Sequence, residues 1–465
     1  KETSFRGRFN ESDTELSGNF IFPDDSKHPL TVRKFEKDSL AAEGNTPSLK
    51  DKFRENFPVE ELKSDLRDMI RKLKEYHPRL HAYTSEASFE KEVEEVMESL
   101  HSQMNLETYY YLIAPLVASV KCSHTGIRLP EAYQRQIQDQ SMYFPLRLHI
   151  EGSRTYFISA PGQAGAEMEP GCEILAINNR PAHTIIEELL KRIPSEGNNQ
   201  SHKYQELNRN FQDYFHMMDP SGHFSIAYVF SGTRGTVELD AVPYSMIGKA
   251  EPSAMDESPY SFQKPENSGT AQLRLSSFGL RDMDAYFAFL DSAFLQLHDS
   301  QIQNLVLDLR DNQGGHPIFA AQLLSYLTDS EFTYFQRNPD VADFEPLYLP
   351  MQPNALHFDG KLMVLVNGNC LSTTGHLISL LKYHTDALFI GEDPGSTYLC
   401  NDFSTQIKLP HTGLELNIPR TTFVTAVTGF SDRDTFPLDY EVKPSIQDIL
   451  MTKDVPSSYA YELAP

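Results

Sequence analysis

Short apolar segments alternate with helical patterns from residue 271 onward, and this alternation limits the possible folds more than any other feature. The apolar segments are residues 271–278, 305–309, 361–366 and 387–390. The segments between them carry apolar side chains at helical spacing, at residues 283–297, 318–327 and 372–381. Consecutive strands that are separated by helices usually pair in parallel. We therefore predict an α/β core over residues 265–465, with a functional site where its strands end.

Three further units are predicted before this core. Residues 1–56 are polar, follow no sustained period and form an N-terminal extension. Residues 57–130 contain three apolar patterns of helical spacing, which predict a helical lead-in. Residues 140–250 are predicted to form a β module, and a polar linker follows at 251–268.

The prediction for residues 140–250 depends on one turn and the strand after it. Glu169-Pro170-Gly171 forms a turn before an apolar run that ends at Asn178-Asn179, a pair that favours a hairpin. A short helical pattern follows at residues 185–190. Strand, turn, strand and short helix are typical of a PDZ-like peptide-binding module.

Charge and composition exclude several classes of function. The chain has 41 Lys and Arg against 65 Asp and Glu, and its net charge of −24 disfavours binding to nucleic acid. The longest apolar stretch, residues 109–120, is too short to span a bilayer, so we expect no transmembrane segment in this chain. The four cysteines form no Cys-x-x-Cys pair, which argues against a zinc ribbon. Nothing in the sequence indicates an oligomeric state.

Two polar turns follow predicted strands of the core. The first reads Asp-Leu-Arg-Asp-Asn-Gln-Gly-Gly and ends at Gly314 and Gly315, whose backbone could bring N–H groups close to a ligand. The second leads from the strand at 361–366 to Ser372 at the start of a helix. The simpler interpretations are an ordinary strand-to-helix turn and a serine that caps a helix.

A third candidate motif, Ser123-His124-Thr125, follows the apolar pattern at 109–120. A neutral imidazole can act as the general base for a serine nucleophile. A single histidine also serves often as a structural residue, so this motif alone leaves both interpretations open.

Taken together, these motifs resemble those of the C-terminal-processing (tail-specific) serine peptidases, in particular their tricorn-like branch with a histidine base. The resemblance covers residues 57–455. It includes the Asp-Leu-Arg-x-Asn-x-Gly-Gly run, the Val-Leu-Val-Asn strand before Ser372, the Ile-Gly-Glu after the next strand, and Pro-Gly-x-x-Ile-Leu-x-Ile-Asn at 170–178. It implies a crotonase-like protease core beside the PDZ-like module.

The resemblance also assigns roles to residues. Ser372 occupies the position of the nucleophile, and Thr373 the position whose backbone N–H helps to form the oxyanion hole. Gly314 or Gly315 would supply the second oxyanion donor.

The resemblance likewise assigns the general base and the residues that support it. His124 takes the position of the base and Ser123 that of an assisting serine. The resemblance also implies a catalytic carboxylate shortly before the closing motif of the family. Asp432 occupies that position, with Asp434 as an alternative.

The chain departs from the family pattern at three places, one of which is Leu438-Asp439 in place of the closing Pro-Asp. Thr397 stands where the processing proteases have a lysine base, so the resemblance favours His124. Ser372-Thr373-Thr374-Gly375 replaces the Ser-Ala-Ser-Glu of the family. His376 is a rival base one turn after the serine, and Cys370 a rival nucleophile, although we expect Cys370 and Cys122 to fill the core.

The resemblance implies a serine endopeptidase that hydrolyses peptides or unfolded proteins through an acyl-enzyme, without a metal or an organic cofactor. It also implies export to the periplasm, the cell surface or the medium. The alternative is a catalytically inactive peptide- or ligand-binding protein on the same fold. An acyl-CoA enzyme with a crotonase-like core is less well supported, because the acidic chain has no evident basic cluster for nucleotide phosphates.

Overall fold

A computed structural model describes most of the chain. It covers residues 56–464, except 102–103, 163–164, 166, 248–257, 266–267, 339–340 and 434, together with the backbone of three N-terminal strands. These strands are β1 (Ser4–Phe9), β2 (Glu15–Ile21) and β3 (Lys27–Arg33), which pair antiparallel in chain order. The remainder of the predicted N-terminal extension up to residue 55 and half of the predicted linker lie outside the described residues. Residues 260–263 of that linker form a strand of the core sheet and not a linker.

The first region after residue 56 is helical. Its elements are α1 (Val59–Tyr76), α2 (Glu86–Ser99), α3 (Leu106–Ala118), strand β4 (Gly126–Arg128), α4 (Glu131–Gln140) and β5 (Met142–Tyr143). The apolar residues of α1 recur every three or four positions, so that one face of the helix is buried: Leu62, Leu66, Met69, Ile70 and Leu73. Between the end of α3 and the start of β4 lies the turn with Ser123 and His124.

The second region has a sheet of its own and contributes no strand to the sheet of the core. Its elements are β6 (Arg147–Glu151), β7 (Arg154–Ser159), β8 (Glu173–Ile177), β9 (Arg180–Pro181), α5 (Ala182–Leu190), α6 (Ser201–Met218), β10 (His223–Phe230), β11 (Thr233–Asp240) and β12 (Val242–Pro243). The main strands are antiparallel in the order β11-β10-β8-β7-β6, and β12 pairs with β5. A single-turn 3₁₀ helix follows at Tyr244–Met246.

The predicted hairpin at the asparagine pair is present between β8 and β9. Asn178 and Asn179 have φ angles of 50° and 60°, and Ile177 pairs with Arg180 across the turn. Two central residues with positive φ are what a tight two-residue hairpin requires, and asparagine tolerates that conformation better than most residues. The long helix α6, in contrast, was not among the predicted elements.

The third region is the α/β core, with the site at one edge of its sheet. Its elements are β13 (Tyr260–Gln263), β14 (Thr270–Leu275), α7 (Met283–Asp299), β15 (Asn304–Asp308), α8 (Pro317–Ser325), a 3₁₀ helix (Ala342–Tyr348), β16 (Lys361–Val366), α9 (Thr373–His384), β17 (Leu388–Gly391), β18 (Leu399–Asp402), β19 (Thr405–Lys408), β20 (Glu415–Ile418), β21 (Thr421–Val424), β22 (Tyr440–Glu441), α10 (Ile446–Leu450) and α11 (Val455–Leu463). The sheet order is β13-β14-β15-β16-β17-β22, and every pair except β13–β14 is parallel.

This sheet confirms the predicted α/β class, while the crotonase-like and PDZ-like assignments stay predictions. All five residues of β15 are buried, as expected of a central strand of a parallel sheet with both faces covered. The same parallel arrangement brings the ends of β15 and β16, and the two polar turns that follow them, to one edge. Within the described residues, no helix is both long and apolar enough to cross a membrane.

Two small antiparallel sheets lie outside the core sheet, and one of them connects distant parts of the chain. Strand β18 pairs with β21, and β20 pairs with both β19 and β4. Because β4 directly follows the Ser123-His124 turn, its pairing with β20 holds the histidine beside the core.

Candidate active site

Ser372 lies in a sharp turn between β16 and α9 and is only 8% exposed. Its φ is 53° and its ψ is −122°, a conformation that residues other than glycine rarely adopt. The side chain makes no capping hydrogen bond to the helix, although Ser372 occupies the N-cap position. The Ser372 hydroxyl therefore does not cap the helix.

The two glycines after β15 pack directly against this turn. Gly314 has a φ of 95°, and a Cβ atom built on it would lie 2.8 Å from Ser372 Cβ and 2.9 Å from Thr373 N. No other residue permits so close an approach. The Thr373 hydroxyl donates to the Gly315 carbonyl and ties the two turns together.

The backbone donors near Ser372 differ in their availability. The N–H of Gly314 donates to Asn312 Oδ1 at 2.9 Å and is therefore occupied. The N–H groups of Gly315 and Thr373 make no hydrogen bond to any residue that the structure describes. Of the glycines predicted as oxyanion donors, Gly315 is thus the one with a free N–H group.

His124 belongs to a chain of polar contacts that ends at a buried carboxylate. Its Nδ1 lies 3.2 Å from Ser123 Oγ. The hydroxyl and the backbone N–H of Ser123 both donate to Glu196 Oε2, at 3.0 Å and 3.2 Å. Glu196 is 2% exposed, and burial raises the pKa of its carboxyl, against the opposing effects of His124 and of the Ser123 hydrogen bonds.

Asp432 does not join this chain of contacts. Its carboxylate pairs with Arg79 and its backbone carbonyl accepts a hydrogen bond from the Tyr83 hydroxyl, both at the connection between α1 and α2. It makes no hydrogen bond to His124 or Ser123, and Asp434 lies outside the described residues. The carboxylate in contact with Ser123 is Glu196, from the turn between α5 and α6. We did not predict this residue, since an acid in a polar turn carries no local signal of a role in catalysis.

The thiol of Cys400, on β18, lies between the serine and the histidine. Its Sγ is 3.6 Å from Ser372 Oγ and 3.7 Å and 3.8 Å from Nδ1 and Nε2 of His124. Ser372 and His124 have no direct hydrogen bond to each other. Burial raises the pKa of the Cys400 thiol well above its ordinary value, so this cysteine is a neutral thiol. Asp402 Oδ2 approaches Nε2 from the other side, at 3.9 Å.

The rival residues near the site are buried and uncharged. His376 packs edge-on against Phe335 and Tyr334, and burial lowers its pKa to about 3. The thiol of Cys370 donates to the Leu309 carbonyl at 3.1 Å, and burial raises its pKa. Burial also raises the pKa of Cys122, to about 12.

Among the described residues, the site around Ser372 contains neither a lysine base nor a metal cluster. Thr397, at the position of the family lysine, is buried, and its hydroxyl donates to the Leu399 carbonyl. In the described part of the chain, no three His, Cys, Asp or Glu side chains are placed to hold a metal ion.

A protein-family model matches part of the chain. Residues 269–432 match the model of peptidase family S41. No curated protein sequence matches the chain.

Solved structures share the fold at low sequence identity. Mature CPAF complexed with lactacystin is 14% identical, with 87% of this chain and 98% of that chain covered and a TM-score of 0.61. A second structure of mature CPAF is 13% identical, with 87% and 97% covered and the same TM-score of 0.61. The photosystem II D1 C-terminal processing protease is 15% identical, with 84% and 96% covered and a TM-score of 0.41.

The matched segment contains Ser372, Thr373 and both glycines of the turn after β15. Residues 269–432 are therefore similar to peptidase family S41, and this match supports a serine peptidase.

Proposed function

We propose that this chain is an endopeptidase that cleaves peptides or unfolded proteins through an acyl-enzyme on Ser372. His124 is the general base, and Ser123 and Glu196 orient its ring. The N–H groups of Thr373 and Gly315 stabilise the oxyanion. No metal or organic cofactor takes part in these steps.

Ser372 Oγ attacks the carbonyl carbon of the scissile bond while His124 takes the hydroxyl proton. Negative charge then develops on the carbonyl oxygen, where two N–H groups that are free in the resting protein can bind it without reorganisation. His124 next donates the proton to the leaving amine, and water hydrolyses the ester by the same steps. In the first step, Oγ must reach a ring nitrogen, so the Cys400 thiol has to move aside when substrate binds.

The observation that carries the proposal is the strained conformation of Ser372. A φ of 53° costs about 1–3 kcal/mol in a residue other than glycine, and Ser372 does not recover this cost by capping the helix. Such strain is retained at a site when it places a reactive group. The Ser372 hydroxyl lies within contact distance of the thiol that touches His124, which supports this interpretation.

One observation favours the alternative of an inactive peptide-binding protein on the same fold. Cys400 separates the serine from the histidine, and a thiol fixed in that position would prevent proton transfer. The two proposals differ in whether the wild-type protein turns over any peptide.

Two further assignments are proposed from the resemblance. The antiparallel sheet with α5 and α6, within residues 140–250, is a PDZ-like module, and the parallel sheet is a crotonase-like core. Export from the cell is proposed on the same basis.

Replacing the nucleophile tests the proposal. We expect Ser372→Ala to lower peptide hydrolysis by about 10⁴-fold or more, because nucleophile, base and oxyanion donors act together. Its free energy of unfolding should change by less than about 1 kcal/mol, since no capping bond is lost. Ser445→Ala is the matched control, because Ser445 does cap α10, and we expect it to lose about 1 kcal/mol of stability and no activity. Unchanged hydrolysis in Ser372→Ala would overturn the mechanism.

A further inference from the structure

Two adjoining cavities lead away from His124 between α3 and α6. The first, of about 240 Å³, is lined by Ser123 and His124 among others. The second cavity, of about 330 Å³, lies farther from His124. Four residues line both cavities, which shows that they share a wall: Tyr110, Arg128, Arg192 and Tyr214.

The second cavity contains two carboxylates without a matching cation. Glu206 accepts hydrogen bonds from Asn210 at 2.9 Å and from the Tyr214 hydroxyl at 3.3 Å. Asp213, one helical position before Tyr214 on α6, makes no hydrogen bond or ion pair with any described residue. Burial, and then repulsion from Glu206, raise the pKa of Asp213 to about 6.

The two arginines of the cavity do not neutralise this acidic end. Arg192 is already engaged, because its guanidinium stacks 3.3 Å from the Tyr111 ring centre and bonds to the Glu188 carbonyl at 2.6 Å. Arg128 is exposed on the wall that both cavities share and forms no ion pair within the described residues. Neither Glu206 nor Asp213 therefore forms an ion pair with any described residue.

The walls of the cavity suit an organic cation. Four tyrosines line it: Tyr110, Tyr111, Tyr143 and Tyr214. Aromatic ring faces attract ammonium and guanidinium groups. One face of Tyr111 is already covered by Arg192, and one face of Tyr143 by His216. We propose that this cavity, which we call the tyrosine pocket, binds a lysine or arginine side chain of the peptide substrate. The inference rests on the proposed peptidase function.

The position of the pocket assigns the basic residue to one side of the scissile bond. His124 donates its proton to the leaving amine, so the leaving fragment must lie next to the imidazole. The first cavity is lined by His124 but not by Ser372, Thr373 or Gly315. The basic residue therefore follows the scissile bond and leaves with the amine product.

The test compares peptides that differ only in one charge. Lysine and norleucine are placed in turn at each of the first four positions after a cleaved bond, and products are identified by mass spectrometry. We expect kcat/KM for the lysine peptide to exceed that for the norleucine peptide by about tenfold or more at one position. A close charge pair supplies a preference of this size. Asp213→Asn should remove most of this difference by lowering kcat/KM for the lysine peptide. Asp139→Asn, an exposed α4 residue outside the pocket, is the matched control and should keep the preference.

Binding separates a failure of this inference from a failure of the proposed function. The same peptides are titrated against Ser372→Ala, with fluorescence anisotropy as the readout. If wild-type protein cleaves nothing but Ser372→Ala binds lysine peptides about tenfold tighter, and Asp213→Asn abolishes that difference, the pocket stands and the peptidase proposal fails. If lysine and norleucine peptides behave alike in both assays, or the preference survives in an Asp213→Asn, Glu206→Gln double variant, the pocket proposal is overturned.

Discussion

Glu196 reaches the proposed base, His124, only through Ser123. It accepts both hydrogen bonds from Ser123, and Ser123 in turn contacts the ring of His124. A buried carboxylate at the end of such a chain fixes the position of the serine and stabilises the imidazolium that forms during proton transfer. Its other oxygen, Oε1, is buried and has no hydrogen-bond partner in the described part of the chain, so the carboxylate is held mainly through Ser123.

We therefore predict that Glu196→Gln lowers kcat by about 10- to 100-fold and leaves KM nearly unchanged, as expected of a residue that positions another. Steady-state kinetics on one fluorogenic peptide measures both constants. Asp432→Asn is the control, because Asp432 pairs with Arg79 and not with the histidine, and its kcat should stay within about threefold of wild type. A large loss in Asp432→Asn together with full activity in Glu196→Gln would restore Asp432 to the site.

The Cys400 thiol gives a second prediction at this scale. If the sulfur only separates Ser372 from His124, Cys400→Ala should label with a fluorophosphonate at least as fast as wild type, at a stability cost of about 1 kcal/mol. Cys172→Ala, which removes a buried thiol from the second region, should leave the labelling rate unchanged. A tenfold slower reaction in Cys400→Ala alone would mean that the thiol takes part in the proton transfer.

At the scale of elements, the active site depends on one short strand pairing between distant parts of the chain. Strand β4, next to His124, pairs with β20, which lies after the core helices. Asn417 on β20 strengthens this connection, since its Nδ2 donates to the His124 carbonyl at 2.6 Å. The pairing thus positions the proposed base, His124, relative to the proposed nucleophile, which another element carries.

Loss of the Asn417 side chain should therefore disturb catalysis more than folding. We predict that Asn417→Ala costs about 1 kcal/mol of stability, the usual worth of one hydrogen bond, and lowers kcat by about tenfold or more. Gln406→Ala is the control, because Gln406 is exposed and pairs with Asn417 in the β19–β20 register. Equal effects of the two substitutions on kcat would show that the hydrogen bond to His124 has no part in positioning it.

Elements with a strong local pattern could be predicted from the sequence, and those without one could not. The strands β15 and β16 are continuous apolar runs, and both were predicted within a residue or two of their observed bounds. Helix α6 was missed because most of its residues are polar, and only a few apolar side chains such as Leu207, Phe211 and Phe215 are buried. The pairing of β4 with β20 depends on contacts between residues far apart in the chain, which periodicity does not report.

The same distinction explains which parts of the site could be predicted. Ser372, Thr373 and the glycines lie in turns that follow recognisable strands, so their motifs are local. Cys400 and Glu196 reach the site only through tertiary packing, from β18 and from the turn between α5 and α6, and neither has a local signal.

At the scale of the whole molecule, buried histidines should make stability depend on pH. Burial lowers the pKa of His77 and His316 to about 4 and that of His376 to about 3. A histidine whose pKa is lower in the folded than in the unfolded state contributes stability above its unfolded pKa of 6.5, and this contribution falls as pH drops towards the folded value. The buried carboxylates with raised pKa values, such as Glu196, oppose this trend.

We predict that each such histidine lowers the free energy of unfolding by about 2 kcal/mol between pH 7 and pH 5. The reason is that a proton bound only in the unfolded state changes this free energy by about 1.36 kcal/mol per pH unit. Urea denaturation of wild type and His376→Gln at both pH values isolates one of them, and the variant should lose about 2 kcal/mol less. His223→Gln is the control, because that exposed histidine has a pKa raised by Asp240 and should not reduce the loss. An identical pH dependence in wild type and His376→Gln would contradict the prediction.

The central claim is that Ser372 is an activated nucleophile, and covalent labelling tests it most directly. The protein is treated with a fluorophosphonate, its intact mass is measured, and the modified peptide is sequenced by mass spectrometry. The account predicts a single adduct on Ser372 that is absent from Ser372→Ala and much slower to form in His124→Ala. An adduct on another residue, or no adduct on the folded wild-type protein, would contradict it.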